Sequence, residues 1–189
     1  MSNRYTEPSW LSRGFYRWVY DPLRASYFRG LVAGLELAGD ERVLDIGSGP
    51  GSEAEHLARA LARGGRVTCL DVSPAWLAEA RRRLAAYANV DYVLGEAVDV
   101  GLPAGTFDLA LAHYVLHDMD RQRLPATVAA LAAALRPGGR FVVVEPDSQH
   151  GLTAEELDPL MSAVGLVRES SVAVRSLGGS ATKSVFVCS

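Results

Sequence analysis

The chain has 189 residues, 49% of them apolar and 22% charged, an ordinary globular balance with enough length to bury one sizeable core. A formal net charge of -3 supplies no general attraction to phosphate backbones, so a nucleic-acid substrate is disfavoured. No apolar run approaches the ~20 residues that span a bilayer and residues 1–10 lack a signal peptide's apolar core, so a cytoplasmic protein is expected.

The first 40 residues differ in character from the rest. About half of the chain's aromatic residues fall within residues 1–28, among them Trp10, Tyr16, Trp18 and Tyr20, interleaved with Arg13, Arg17, Arg24 and Arg29. Pro22 disfavours helix at Asp21 and can itself begin one. Two short helices are therefore expected, forming an N-terminal helical segment over residues 1–40 that lies on a domain of residues 41–189.

From residue 41 onward strand and helix signals alternate, the pattern of a parallel sheet with crossover helices. Arg42–Ile46 is a short apolar run ending in the turn Gly47-Ser48-Gly49-Pro50-Gly51. Ala54, Leu57, Ala58 and Leu61 follow at helical spacing until Gly64-Gly65. Residues 66–70 read as a second strand. Ser73-Pro74 then reads as an N-cap with proline at the first helical position, opening a helix that buries Leu77, Ala80 and Leu84. Val90–Leu94 and residues 107–112 are the third and fourth strands. An alanine-rich helix at 126–135 closes at Pro137-Gly138-Gly139, and residues 140–144 form an apolar fifth strand. Thr153 caps a helix at 154–164, with Glu155 and Glu156 complementing its dipole. Two last strands, 166–174 and 184–188, flank Gly178-Gly179. Cys69, Cys188 and the four histidines show no metal-ligand spacing, and both thiols are expected to be reduced.

A glycine-rich turn between a strand and a helix lets backbone approach a ligand closely. Here the turn has a partner: Asp71 ends the second strand about twenty residues beyond Gly51, where a carboxylate can accept from both hydroxyls of a ribose. Together they point to a nucleoside ligand. The phosphate-cradle pattern Gly-x-x-x-x-Gly-Lys-Ser/Thr and the dinucleotide pattern Gly-x-Gly-x-x-Gly are both absent.

Val43-Leu-Asp-Ile-Gly-Ser-Gly-Pro-Gly51 resembles the first motif of the class I S-adenosylmethionine-dependent methyltransferases. Four further segments match that family in order, from Asp71-Val72 through Gly95-Glu96-Ala97 and Phe107-Asp108-Leu109 to Leu135-Arg-Pro-Gly-Gly-Arg-Phe-Val-Val-Val-Glu145. The resemblance implies a Rossmann-like α/β fold, a seven-stranded and mostly parallel sheet with an antiparallel last strand, and S-adenosylmethionine as cofactor. It implies that Asp45 and the backbone around Gly47 and Gly49, with Ser48 and Gly51 in the same turn, hold the cofactor's amino-acid end. Asp71 would hold the ribose, Val72 would pack on the adenine, and Glu96 beside Ala97 matches the adenine-contacting acid. His113 would end the fourth strand facing the sulfonium and the acceptor.

The stretch from His113 to Asp120 also looks like the Leu-His-Asp segment of small-molecule O-methyltransferases, in which the histidine matching His117 removes a hydroxyl proton. Imidazole suits that task because it titrates near neutrality. The alternative is a histidine that caps the next helix or packs under the cofactor. Met119 replaces that family's usual Trp, no counterpart of its large dimerisation domain is expected in these residues, and residues 147–152 are too short for a substrate-binding insertion. A metal-dependent version would need acids at the ends of both the fourth and fifth strands, and His113 stands at the fourth; no metal is expected. Residues 1–20 are then the spare material for a lid, with Tyr20 or Tyr16 over the sulfonium; rings that simply pack on the sheet, or a patch that touches membrane lipid, are the alternatives. The expected function is methyl transfer to a small-molecule acceptor, O-methylation favoured. N- or C-methylation of a lipid or quinone-like acceptor and a non-catalytic cofactor-binding module are the rivals.

Overall fold

The computed structural model describes residues 21–176 and 179–188, and divides into two compact units, Met1–Gly95 and Glu96–Ser189. The expected lid positions Tyr16 and Tyr20 lie outside the described residues.

The first unit contains helix α1 (Asp21–Ala33), strand β1 (Arg42–Ile46), α2 (Ser52–Ala60), β2 (Arg66–Asp71), α3 (Pro74–Arg83) and β3 (Val90–Leu94). β1 pairs parallel with β2, Ile46 opposite Leu70, and β2 pairs parallel with β3, Asp71 opposite Leu94. Val43, Leu44 and Ile46 are buried in succession, as a parallel strand covered on both faces requires. Leu57 and Ala58 of α2 and Leu77 and Ala80 of α3 supply the buried helix faces. α3 starts where Ser73-Pro74 implied, with the Ser73 hydroxyl accepting from the Trp76 N–H at 3.2 Å. α1 buries Phe28, Leu31 and Val32, and the Phe28 ring lies 6.4 Å from that of His56 on α2. Burial there lowers the His56 pKa.

The second unit contains β4 (Phe107–His113), a 3-10 turn (Leu116–Asp118), α4 (Leu124–Ala134), β5 (Leu135–Pro146), α5 (Ala154–Ser162), β6 (Leu166–Ser176) and β7 (Gly179–Cys188). β4 and β5 run parallel, while β7 is antiparallel to both β5 and β6. The strand order is β3-β2-β1-β4-β5-β7-β6, a seven-stranded, mostly parallel Rossmann-like sheet with β7 antiparallel to both of its neighbours.

Two strands start several residues before their expected bounds. β5 starts at Leu135, not Arg140: Leu135 pairs with Phe107, and the register slips before Leu109 meets Arg140. Residues 136–139 are thus a bulge inside a strand, where a helix-closing turn was expected. β7 starts at Gly179, not Ser184, because pairing with β6 on one side and with Glu145 and Pro146 on the other extends it through a polar stretch without apolar alternation. Among the described residues no helix is long and apolar enough to cross a membrane.

Phe141 lies fully buried in β5, whereas Val167 on the sheet-edge strand β6 is 63% exposed. Phe141→Ala is expected to cost about 3–5 kcal/mol of stability, and Val167→Ala within about 0.5 kcal/mol. Urea denaturation of the two variants checks the register; comparable losses would contradict it.

Candidate active site

In the first unit, β1 gives way to a turn with three glycines in left-handed backbone: Gly47 (φ 65°), Gly49 (φ 53°) and Gly51 (φ 78°). A side chain in that region is strained, and at Gly51 a Cβ would also stand 3.0 Å from Leu84 Cδ1 and 3.1 Å from Ala80 Cβ. The turn is pinned to the end of β2, since the Leu70 carbonyl accepts from the N–H groups of Gly47 (2.8 Å) and Ser48 (3.2 Å).

Asp71 completes this fastening. One of its carboxylate oxygens accepts from the Gly49 N–H and the other from the Ser73 N–H, each at 2.8 Å. Burial pushes its pKa up, and hydrogen bonds from the backbone at Ser73, Gly49 and Val72 pull it back. The carboxylate therefore joins the glycine turn to the cap of α3.

Asp45, only 2% exposed near the end of β1, is held well above the usual carboxylate range by burial and by the negative charges of Glu53 and Asp71. Its Oδ2 has no hydrogen-bond partner among the described residues. A buried carboxyl with an orphaned oxygen, under the negative charge of two neighbouring acids, is unfavourable and fits a ligand that carries a positive group. The first unit thus brings together Asp45, Gly47, Ser48, Gly49, Gly51, Asp71 and, half-buried after it, Val72.

In the second unit, Ala97 is buried and the Glu96 carboxylate pairs with Arg123 at 2.9 Å. Arg123 also holds Asp99 at 2.8 Å, a partnership that nothing in the local sequence signals. His113 ends β4, its ring 4.5 Å from that of Tyr114. Tyr114 itself has φ 55°, and its N–H donates to the Val144 carbonyl at 2.9 Å. Bulky residues hold such a backbone only at a cost of order 1–3 kcal/mol, here at the bend that carries the chain from β4 into the 3-10 turn.

His117 sits on that turn with its side chain 14% exposed, and its Nδ1 lies 2.7 Å from Glu145 Oε2 near the end of β5. The same oxygen accepts from the Leu152 N–H at 3.2 Å. An ionised carboxylate only accepts, so the bond requires a proton on Nδ1 and leaves the Nε2 lone pair available in the neutral ring. The nearest acid to Nε2 is Asp118, at 3.7 Å. The Glu145 hydrogen bond raises the His117 pKa above its ordinary 6.5; partial burial opposes it, the charges of Glu145 and Asp118 add, and Arg121 subtracts. The acid ending an apolar fifth strand was visible in the sequence, but its bond to His117 was not.

Around the end of β5, Glu145 faces His117 and Asp147 accepts from the Thr182 hydroxyl at 2.7 Å, while His150 is exposed. Among the described residues no group of three or more His, Cys, Asp or Glu is placed to hold a metal ion.

The buried acids make a testable statement about the free protein. A folded-state pKa above the unfolded value means that Asp45 favours folding when protonated, and that this contribution is lost as pH rises above the ordinary carboxylate pKa, 3.8, through the raised one. Asp45→Asn is therefore expected to match the wild type at acid pH and to become the more stable of the two as pH rises. Denaturation midpoints between acid and neutral pH check this; a difference independent of pH would contradict the placement of Asp45.

Residues 43–139, just over half of the chain, match the family described as a methyltransferase domain. The chain is 30% identical over 122 residues to the demethylmenaquinone methyltransferase of Symbiobacterium thermophilum, an alignment covering 63% of this chain and 48% of that protein. It spans half or less of the length of the curated relatives it matches. Its fold is shared with a methyltransferase structure from Aquifex aeolicus (TM-score 0.77, 18% identity, 89% of this chain and 94% of that one). It is also shared with a 1,6-didemethyltoxoflavin-N1-methyltransferase from Burkholderia thailandensis solved with S-adenosylhomocysteine (TM-score 0.72, 23% identity, 94% and 85% covered). With the motif turn, the sheet order and the matched family in agreement, the chain belongs to the methyltransferase-domain family, the class I S-adenosylmethionine-dependent methyltransferases.

Proposed function

We propose that this protein transfers a methyl group from S-adenosylmethionine to a hydroxyl of a small-molecule acceptor, with His117 as general base. The observation that carries this reading is the His117–Glu145 pair, which leaves Nε2 as the free proton acceptor of a partly exposed ring.

Each residue of the first unit has a task in this reading. Asp45, with Glu53 and Asp71 near it, receives the cofactor's ammonium group, which relieves the buried negative charge. The Gly47, Ser48, Gly49 and Gly51 turn presents backbone to the amino-acid end. Asp71, whose two oxygens are oriented by the amide N–H groups of Gly49 and Ser73, accepts from the ribose hydroxyls. Val72 packs on the adenine. Glu96 beside Ala97 faces the adenine with its carboxylate already shared with Arg123. His113 lines the approach to the acceptor. Residues 1–20, with Tyr20, remain our candidate for the cover that excludes water. Cys69 and Cys188 are thiols, which supports a cytoplasmic setting.

The bound cofactor supplies an electrophilic methyl on a sulfonium. His117 Nε2 takes the hydroxyl proton as the acceptor oxygen forms its bond to that methyl; the sulfur keeps the electron pair of the broken bond and leaves as the thioether of S-adenosylhomocysteine. Orientation of the two reactants contributes as much as the base does. A second reading is favoured by the relative named demethylmenaquinone methyltransferase: a quinone-like acceptor methylated on carbon. A quinol also begins with a hydroxyl, and removing its proton makes the ring carbon nucleophilic, so His117 has the same task in both.

For a base, only the neutral imidazole works. Because the His117 pKa is raised, the rate should climb with pH through a value above 6.5 and then level off. His117→Ala should keep the cofactor affinity, lose that limb, and transfer methyl ~10²–10⁴-fold more slowly. Formation of S-adenosylhomocysteine with a panel of phenols and quinols measures this, and product analysis separates oxygen from carbon. Full turnover by folded His117→Ala on a hydroxyl acceptor would remove the base assignment.

A further inference from the structure

Residues 146–152 lead from β5 to Thr153, the cap of α5, and their backbone folds back on itself. The Ser148 N–H donates to the Pro146 carbonyl at 2.8 Å and the Gly151 N–H to the Ser148 carbonyl at 3.1 Å. Gly151 is the point of closest approach. A Cβ there would overlap the Pro146 carbonyl oxygen and stand 3.1 Å from its carbon, so a side chain at this position forces the loop open. The outer side of the loop is tied to β7, where the Asp147 N–H donates to the Ser180 carbonyl at 3.0 Å and its carboxylate accepts from Thr182. The result of this closure is the Leu152 N–H at 3.2 Å from Glu145 Oε2, the oxygen that also takes His117 Nδ1.

We propose that the 146–152 loop is a positioning clamp for His117, in which Gly151 permits closure and the Leu152 amide locks the Glu145 oxygen that orients the ring. The terminal torsion of a glutamate is soft and broadly populated, so a carboxylate anchored only by the histidine can turn either oxygen toward it. A second donor from a rigid backbone removes that freedom and keeps the proton on Nδ1. Three charged groups act on the ring: Glu145 from β5, and Asp118 and Arg121 from the segment that carries it. The loop adds no charge of its own to them, Asp147 being engaged by Thr182 and His150 being exposed. Gly151 and Leu152 act through Glu145 and are positioning residues. The catalytic consequence rests on the general-base reading above; the orientation of the ring does not.

Nitrogen-15 and carbon-13 imidazole spectra of the full chain, assigned with His117→Gln, test the clamp without any acceptor. The wild-type ring should be the Nδ1-protonated tautomer when neutral and should titrate above 6.5. Gly151→Ala should mix the tautomers and move the titration down toward the ordinary value. Leu157→Ala, a buried change on α5 away from the loop, should lower stability and leave the ring's titration where it was. If Gly151→Ala does not fold, Leu152→Pro deletes the same N–H without adding a Cβ at residue 151, and the same loss of tautomer purity is expected. An unchanged His117 tautomer and titration in the folded variant overturns the clamp. So does a parallel shift in Leu157→Ala, and so does failure of both loop variants to fold, since the loop would then be a folding element. A clamped ring in a protein whose transfer rate ignores pH would instead overturn the general-base reading and leave the clamp standing.

Discussion

The carboxylate of Asp71 bears the arrangement of the first unit. It is buried at the end of β2, where a lone acid would be unfavourable, and it is kept there by amide donors from two directions, Gly49 in the turn after β1 and Ser73 at the start of α3. Those bonds hold a turn whose glycines adopt a backbone that other residues resist. They also fix where α3 begins, and the close seat of Gly51 against Ala80 and Leu84 follows from both. A ligand reaching this turn meets backbone already organised, so binding need not order it.

Asp45 complicates this picture usefully. Burial and the negative charges of Glu53 and Asp71 act on the Asp45 carboxyl, which responds by holding its proton more tightly. The free protein therefore stores an electrostatic cost at the place where our reading puts a cationic group. The second unit shows the complementary device. Glu145 is as buried as Asp45, yet one of its oxygens is occupied by His117 and Leu152, so its charge is used to fix a ring and raise its basicity. The strained backbone at Tyr114 sits three residues before that ring, where the chain leaves β4.

Much of this was readable from local pattern. The apolar run of Arg42–Ile46, the glycine turn, Asp71 at the end of β2 and the Ser73-Pro74 cap are each decided by a few adjacent residues, and each is found where the pattern put it. What could not be read depends on distant partners. The early start of β5 is set by pairing with Phe107, and β7 runs through Ser180, Thr182 and Lys183 because neighbours on both sides supply its hydrogen bonds. The bond of His117 to Glu145 spans 28 residues, and Arg123 reaches back to Glu96 and Asp99. A positive φ at a tyrosine has no signature in composition. The same motifs that made the family recognisable are silent about the acceptor, because they describe the turn and strand ends to which our reading assigns the cofactor.

The most direct test of the account is calorimetric titration of the full chain with S-adenosylhomocysteine, repeated on Asp71→Ala. The account predicts one ligand per chain, and an affinity weakened in the variant by roughly 1–3 kcal/mol because ribose hydroxyls lose their acceptor. Unchanged affinity in Asp71→Ala would contradict the ribose assignment, and no binding by the wild-type chain would contradict the account at its root.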